Sequence, residues 1–226
     1  YRSSRGLGDV YKRQVHWFLD MDAVSETMRE WIEGKKRSWR PAVVSEVLNT
    51  VLPSARFDRS LEADYKAQKK ELPKHKMKYA RGGQIQLQFN NKPDMAAARA
   101  HLAAHGVPTE VANEWAFRSI TRDVSWGIPL PEDLDADLAG KTLYVWPDSL
   151  IAPISFCATA LAEQGRDPAE LDAFWRDPSA RVYQFLGQDN VFFYVLMQGA
   201  MWLGTQSDPH RMPCLLYTSP SPRDDR

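Results

Sequence analysis

The chain has 226 residues, with 29 basic and 29 acidic side chains and a formal net charge of +0, which is enough chain for one large domain or one and a half ordinary ones. The balance excludes a whole-protein field aimed at nucleic acid or an anionic membrane. No apolar run comes near the roughly 20 residues that span a bilayer, and Cys157 and Cys214 have neither metal-ligand spacing nor a disulfide framework, so a soluble cytoplasmic protein without membrane contact is expected.

The two ends stand apart from the rest. YRSSRGLGDVYKRQ and CLLYTSPSPRDDR carry no apolar periodicity, and no apolar segment follows the first to make it a signal peptide. Residues 9–14, DVYKRQ, can be written GAT GTG TAT AAG AGA CAG. The reverse complement, read one base along, is TGT CTC TTA TAC ACA TC, which encodes CLLYTS, residues 214–219. One DNA word in opposite orientations is the pattern of a library adapter translated with the gene. Residues 1–14 and 214–226 are therefore expected to be non-native, and Cys214 leaves the chemistry.

Residues 15–20 form a predicted strand, and Asp22 is placed to cap a helix with Val24, Met28, Trp31 and Ile32 on one face that stops at Gly34. Pro41 suits the first turn of a second helix, striped by Val44, Val47, Leu48 and Val51. Residues 15–52 thus read as a strand backed by two amphipathic helices. Residues 53–113 differ and read as an inserted small α+β subdomain. There 61–72 is charged and helix-prone, while GQIQLQF, 83–89, alternates Ile85, Leu87 and Phe89 as a half-buried strand does. Pro93 opens an Ala-rich helix closed by Gly106. The basic stretch 66–83 can attract RNA phosphate; the simpler reading is a solvated helix face, its field diluted by Glu62, Asp64 and Glu71. His75, His101 and His105 have no companions at metal-ligand spacing and read as surface residues.

From 114 to 213 strand and helix alternate: strands at 141–146 and 181–187, helices at about 149–164, 168–175 and 189–203. Alternation with short connections predicts an α/β fold, a partial Rossmann-like parallel sheet covered on both faces. Ligands of such sheets bind beyond the carboxyl ends of the strands. Both strands end in polar punctuation, Trp146-Pro147-Asp148 and Gly187-Gln188-Asp189-Asn190, and two such neighbouring ends make a site wall.

Four pieces in order, HWFLDM (16–21), SITRDVSWGIPLP (119–131), KTLYVWPDS (141–149) and YQFLGQDNVFFY (183–194), resemble the class I aminoacyl-tRNA synthetases, the methionyl group most closely. That family has an Arg-Asp followed by Trp-Gly-Ile-Pro-x-Pro, a Tyr-Val-Trp-x-Asp strand end and a Gly-Lys-Asp-Asn strand-to-helix turn. The resemblance implies ATP-dependent activation of methionine and its transfer to tRNA, with ATP and its Mg ion as the co-substrates and no zinc site in this segment. The family's His-Ile-Gly-His and Lys-Met-Ser-Lys-Ser signatures are absent from the chain, so it is expected to be a fragment inactive by itself, with residues 15–52 returning from a connective domain and 114–213 forming a catalytic-core segment.

The same resemblance assigns roles. Gly187 and Asp189 would hold the adenosine ribose, a carboxylate accepting from both hydroxyls; read from the residues alone, Asp189 is a helix cap. Trp146 would wall the methionine pocket, where a thioether lies against an aromatic face; read alone, it is a core aromatic. Arg122 would stabilise phosphate charge during adenylate formation; read alone, it is a surface ion pair with Asp123 or a neighbour. Ser149, Leu150, Pro153, Asn190 and Tyr194 would complete the side-chain pocket. Here the chain departs from the family: Pro153 replaces the Tyr that shapes the pocket, Tyr194 a His and Asn190 an Ile-type residue. A synthetase paralogue for another amino acid, and a non-catalytic synthetase-like domain binding tRNA or protein, are the alternative readings. An unrelated Rossmann enzyme would want a Gly-x-Gly-x-x-Gly run, which is absent. No feature of the sequence sets the oligomeric state.

Overall fold

A computed structural model of the chain describes residues 2–5, 14–131, 133–205 and 215–219, with the backbone alone at 2–5, 14 and 215–219. Most of the two ends expected to be non-native lies outside the described residues. The chain divides into two compact units, 1–48 with 116–226 and 49–115.

The first unit begins with β1 (Arg2–Arg5) antiparallel to β2 (Gln14–Asp20). Asp20, rather than Asp22, supplies the capping oxygen at the turn that follows, accepting from the Asp22 amide at 3.0 Å. Next, α1 (Ser25–Glu33) buries Met28 and Ile32, and Gly34 closes it by donating to the Glu30 carbonyl at 3.0 Å. Trp31 meets Trp39 edge-on at 5.1 Å. Pro41 starts α2 (Pro41–Val51), which buries Val43, Val44, Val47 and Val51 as a period of 3.6 requires and leads into the second unit.

That unit runs β3 (Ser54–Asp58), α3 (Glu62–Gln68), β4 (His75–Ala80), β5 (Gln84–Phe89), α4 (Lys92–Ala104), β6 (Glu110–Val111). Its sheet has the order β4-β5-β3-β6, antiparallel at every pairing. This is the β-α-β-β-α-β, ferredoxin-like arrangement. Alternation decides its two faces. Ala55, Phe57, Ile85, Leu87 and Phe89 join Tyr65, Ala98, Leu102 and Val107 in one buried core, while Gln84, Gln86 and Gln88 occupy the opposite face of β5. The turn from β4 to β5 uses Gly82 and Gly83, at φ 74° and 68°, a region that only glycine enters without steric cost. At α4, Asn91 caps by accepting from the Asp94 amide at 2.7 Å, with Pro93 in the first turn.

His75 is not a surface residue. Its Nδ1 lies 2.7 Å from the Pro73 carbonyl and its Nε2 2.7 Å from the Tyr65 hydroxyl. A carbonyl only accepts, so Nδ1 carries the proton and Nε2 accepts from the phenol. Tyr65 is fully buried, and burial pushes its pKa above the ordinary phenol value. The neutral phenol is the form the core holds, so its contribution to stability is complete below the unfolded-state pKa of about 10 and is lost as pH rises through the folded-state value. Urea unfolding of the chain should show that alkaline loss, and Tyr65→Phe should flatten it.

Back in the first unit, β7 (Phe117–Ser119) adds antiparallel to β2. Then β8 (Thr121–Arg122), β9 (Ile128–Pro129) and β10 (Thr142–Leu143) make a small antiparallel sheet of order β8-β10-β9. There follow α5 (Val145–Glu163), α6 (Leu171–Trp175) and β11 (Tyr183–Gly187). A helical run from 188 to 204 passes through a π-helical stretch, Phe192–Met197, into α7 (Gln198–Gly204). β12 (Leu215–Ser219) lies parallel to β11.

The expected parallel sheet containing both 141–146 and 181–187 is therefore not what the described residues form. The strand at 141–146 shortens to Thr142–Leu143 and pairs antiparallel, while β11 pairs only with β12 among them. The reason is Pro147. It sits in the first turn of α5, where its missing N–H costs nothing, and Asp148 favours the same helix start; the supposed break is a helix beginning. That helix, 19 residues long, is also apolar and long enough to cross a membrane by length and composition, contrary to the expectation that no such run exists.

Candidate functional site

The small sheet brings two of the sequence-predicted residues together. Thr142 pairs with Arg122 in the β8–β10 register, and the Tyr144 amide donates to the Ile120 carbonyl at 2.7 Å. This lays the Tyr144 ring under the Arg122 guanidinium, 3.9 Å from centroid to Cζ. Arg122 Nη1 also donates to Ser119 Oγ at 2.8 Å and to the Thr121 carbonyl at 2.7 Å, so the side chain is fixed. Two residues beyond Tyr144, in the first turn of α5, Trp146 stacks face to face on Phe193, with centroids 3.9 Å apart and planes within 8°.

These residues line a cleft of about 440 Å³ with Phe18, Phe117, Arg118, Ser119 and Met197. Arg118 lies 4.4 Å over the Phe192 ring, and desolvation lowers its pKa. Among the described residues the lining holds two guanidinium groups, five aromatic side chains and no carboxylate. Chemically it favours a planar or apolar body bearing negative charge. Nearby, His16 Nδ1 lies 3.0 Å from the Thr121 hydroxyl, which also accepts from the Trp17 amide at 3.1 Å. Burial, then the charges of Lys141 and Arg122, hold the His16 pKa below the usual imidazole value.

A second cleft, about 460 Å³, takes Pro153, Gly187, Asn190 and Tyr194 together with Trp175, Gln184 and the rest of β11. Gly187 has an ordinary extended backbone, φ −68° and ψ 153°. Nothing in that conformation calls for glycine; a Cβ would stand 2.6 Å from Asp189 Oδ1, so a larger residue there would displace the exposed Asp189 carboxylate. Asp189 is exposed and lines neither cleft. Ser149 and Leu150 also line neither: the Ser149 hydroxyl donates back to the Val145 carbonyl at 2.7 Å, and Leu150 is fully buried. The candidate residues thus divide, with Arg122 and Trp146 in one cleft and Pro153, Gly187, Asn190 and Tyr194 in the other. The π-helical turn sends the consecutive residues Phe193 and Tyr194 to different clefts, a distortion frequent at functional sites.

Sequence reasoning missed Arg118, Tyr144, Phe193 and the amide pair Gln184 and Gln198. The repeat of Arg four residues apart in RSITR was the available signal for Arg118. For Gln198 there was none. Its buried Nε2 donates to the Leu150 carbonyl at 2.7 Å and its Oε1 accepts from Gln184 at 2.7 Å. Gln198→Leu should destabilise the fold by about 1–3 kcal/mol, read from the urea midpoint, because it leaves a buried carbonyl and a buried amide without these partners.

A family model described as tRNA synthetases class I (M) matches residues 88–218. The methionine--tRNA ligase of Salinibacter ruber is 42% identical over 195 residues, 84% of this chain and 19% of that protein. That of Chlorobium limicola is 50% identical over 80 residues, 35% of this chain and 11% of that protein. The Aeropyrum pernix methionine--tRNA ligase is 36% identical over 96 residues, covering 42% of this chain and 16% of its own length. The chain spans a fifth or less of these curated relatives.

Proposed function

Since the chain belongs to the class I tRNA synthetases of the M group, we propose that it is a segment of a methionine--tRNA ligase, which condenses methionine with ATP and passes the aminoacyl group to tRNA in the cytoplasm. One observation carries this reading: 42% identity to the Salinibacter ruber enzyme over 84% of the chain. The reaction is that of the whole protein, to which this segment contributes.

In this reading Arg122 neutralises charge that builds on the α-phosphate as the methionine carboxylate attacks it. Supporting that role are its fixed guanidinium and the absence of a carboxylate in the cleft lining. Trp146 presents an indole face to the methionine thioether, a contact of about 1 kcal/mol; Pro153, Asn190 and Tyr194 act from the second cleft, and Ser149 and Leu150, which line neither cleft, serve from within α5. Gly187 and Asp189 hold the ribose of ATP; the lack of room for a Cβ beside the Asp189 carboxylate favours that pairing. Magnesium travels with ATP as part of the substrate. Among the described residues no three His, Cys, Asp or Glu side chains converge to hold a metal, so no step is assigned to an ion held by this segment.

β11 is an element of a larger parallel sheet whose natural partners lie elsewhere in the protein; its pairing with β12, which falls in the foreign end, is no part of that sheet. Residues 15–52 return from a connective domain, 53–113 are an insertion, 114–213 belong to the catalytic core, and 1–14 and 214–226 are foreign to the natural chain. α5 is a helix of that core and not a membrane span: it contains Asp148, Pro153 and Glu163, and its Leu150 carbonyl takes a hydrogen bond from another helix.

The whole gene product should catalyse methionine-dependent exchange of pyrophosphate into ATP; no exchange with methionine would remove the proposal. Arg122→Ala should lower kcat for exchange by about 100-fold with little change in the methionine KM. Gly187→Ala, which drives the Asp189 carboxylate from its place, should instead raise the KM for ATP about tenfold, equivalent to about 1.4 kcal/mol, with kcat changed less.

A further inference from the structure

The charge balance of the chain conceals an asymmetry. Residues 49–115 carry eleven Lys and Arg against seven Asp and Glu, a formal +4, which leaves the remainder at 18 against 22, or −4. Within the positive unit the excess is local. Lys69, Lys70, Lys74, Lys76, Lys78 and Arg81 are all exposed, and none makes an ion pair among the described residues. By contrast, Lys66 is paired with Glu62 at 2.7 Å, and Arg56 is paired with Glu114.

The fold lines these free cations along one margin. Among the described residues β4 is the terminal strand of its sheet, with no strand paired on its outer side. Lys76 and Lys78 stand opposite Gln88 and Gln86, so they share the sheet face turned away from the core, which is closed over Gln88 by its bond to the Asn49 carbonyl of α2 and open at the two lysines. Lys74 precedes the strand, Arg81 opens the turn after it, and Lys69 and Lys70 lie on the turn that leads in. Gln84 and Gln86 continue the same face with amides able to donate to phosphate and ribose oxygens. No aromatic or large apolar side chain occupies the open face of β3, β4 or β5. That argues against insertion into lipid and against the base stacking by which many sheet surfaces read RNA.

We infer that the β-α-β-β-α-β insertion is an RNA-docking module whose β4 margin grips the phosphate backbone of the tRNA without reading its bases. The inference rests on the synthetase reading for the identity of the RNA. Lysines on an edge strand also deter edge-to-edge association; that role needs no more than the strand itself, whereas here the cations extend through both flanking turns.

The test uses the 226-residue chain and a fluorescein-labelled tRNA transcript, with anisotropy titrations between about 50 and 200 mM salt. Lys74→Glu, Lys76→Glu and Lys78→Glu together should weaken binding by more than about tenfold at the lower salt and reduce the slope of log K on log salt by about 2–3, the value for three lost phosphate contacts. Lys→Arg at the same three positions should keep both. Lys→Gln at all three, checked for an unchanged urea midpoint, should weaken binding in the same direction and separates charge from misfolding. Parent-like affinity in the Glu and Gln variants, no tRNA binding by the parent chain, or binding to anionic phospholipid vesicles in place of tRNA would each overturn the inference. Methionine-dependent pyrophosphate exchange by the whole gene product needs no tRNA, so its failure would strike the synthetase reading and leave the RNA titration to be read independently.

Discussion

The buried carboxamide of Gln198 holds α5, β11 and α7 of the first unit in register. With 1% of its surface exposed, it cannot turn to water. Its two bonds, to the Leu150 carbonyl and from the Gln184 amide, tie α5, β11 and α7 to one another. An unmet amide in such a place costs more than the pair contributes when formed, so the three elements move together or not at all. What faces each cleft follows from that. Trp146 and Pro153 project from the tied part of α5, and Phe193 and Tyr194 lie one turn before Gln198, on the π-helical stretch that opens between the two clefts.

The first cleft concentrates positive charge against aromatic surface. Two guanidinium groups lie over aromatic rings, at 3.9 and 4.4 Å, and among the described residues nothing acidic lines the wall. Stacked on a ring, a guanidinium can present its edge to phosphate or carboxylate; Arg122 already commits Nη1 to Ser119 and the Thr121 carbonyl, which leaves Nε and Nη2. The indole of Trp146 is reachable from the cleft even while stacked on Phe193. The residues that depart from the family pattern, Pro153, Asn190 and Tyr194, gather in the second cleft, so the departures form one local change in chemistry and are not scattered. In the proposed reading, this local change falls on side-chain selectivity and leaves the role proposed for Arg122 in the first cleft untouched.

The second unit shows how a neutral chain can carry a directed field. A net charge of +0 describes neither unit, and at physiological ionic strength charges more than about 8 Å apart are largely screened from each other. Exposed lysines along an edge strand therefore act on whatever approaches that edge, with little regard for the acids elsewhere.

Local chemistry was legible in the residues themselves. Met28 and Ile32, Val44 and Val47, and Ile85, Leu87 and Phe89 point inward because their spacing matches helix or strand, and Gly34 and Gly106 end helices where expected. The order of four motif pieces carried the family. What the residues could not settle was anything decided by partners distant in sequence. Pro147 reads as a break or as a first turn until the Tyr144 amide is bound to the Ile120 carbonyl. His75 reads as surface until Tyr65 and Phe89 close on it. Trp146 and Gly187 read as neighbours until the small antiparallel sheet draws Trp146 to one side. Periodicity and caps are set within a turn or two of chain, so they survive in the sequence. The choice of cleft, the tautomer of a histidine and the pairing of a strand depend on contacts made from 10 to more than 20 residues away, and only the folded chain brings those together.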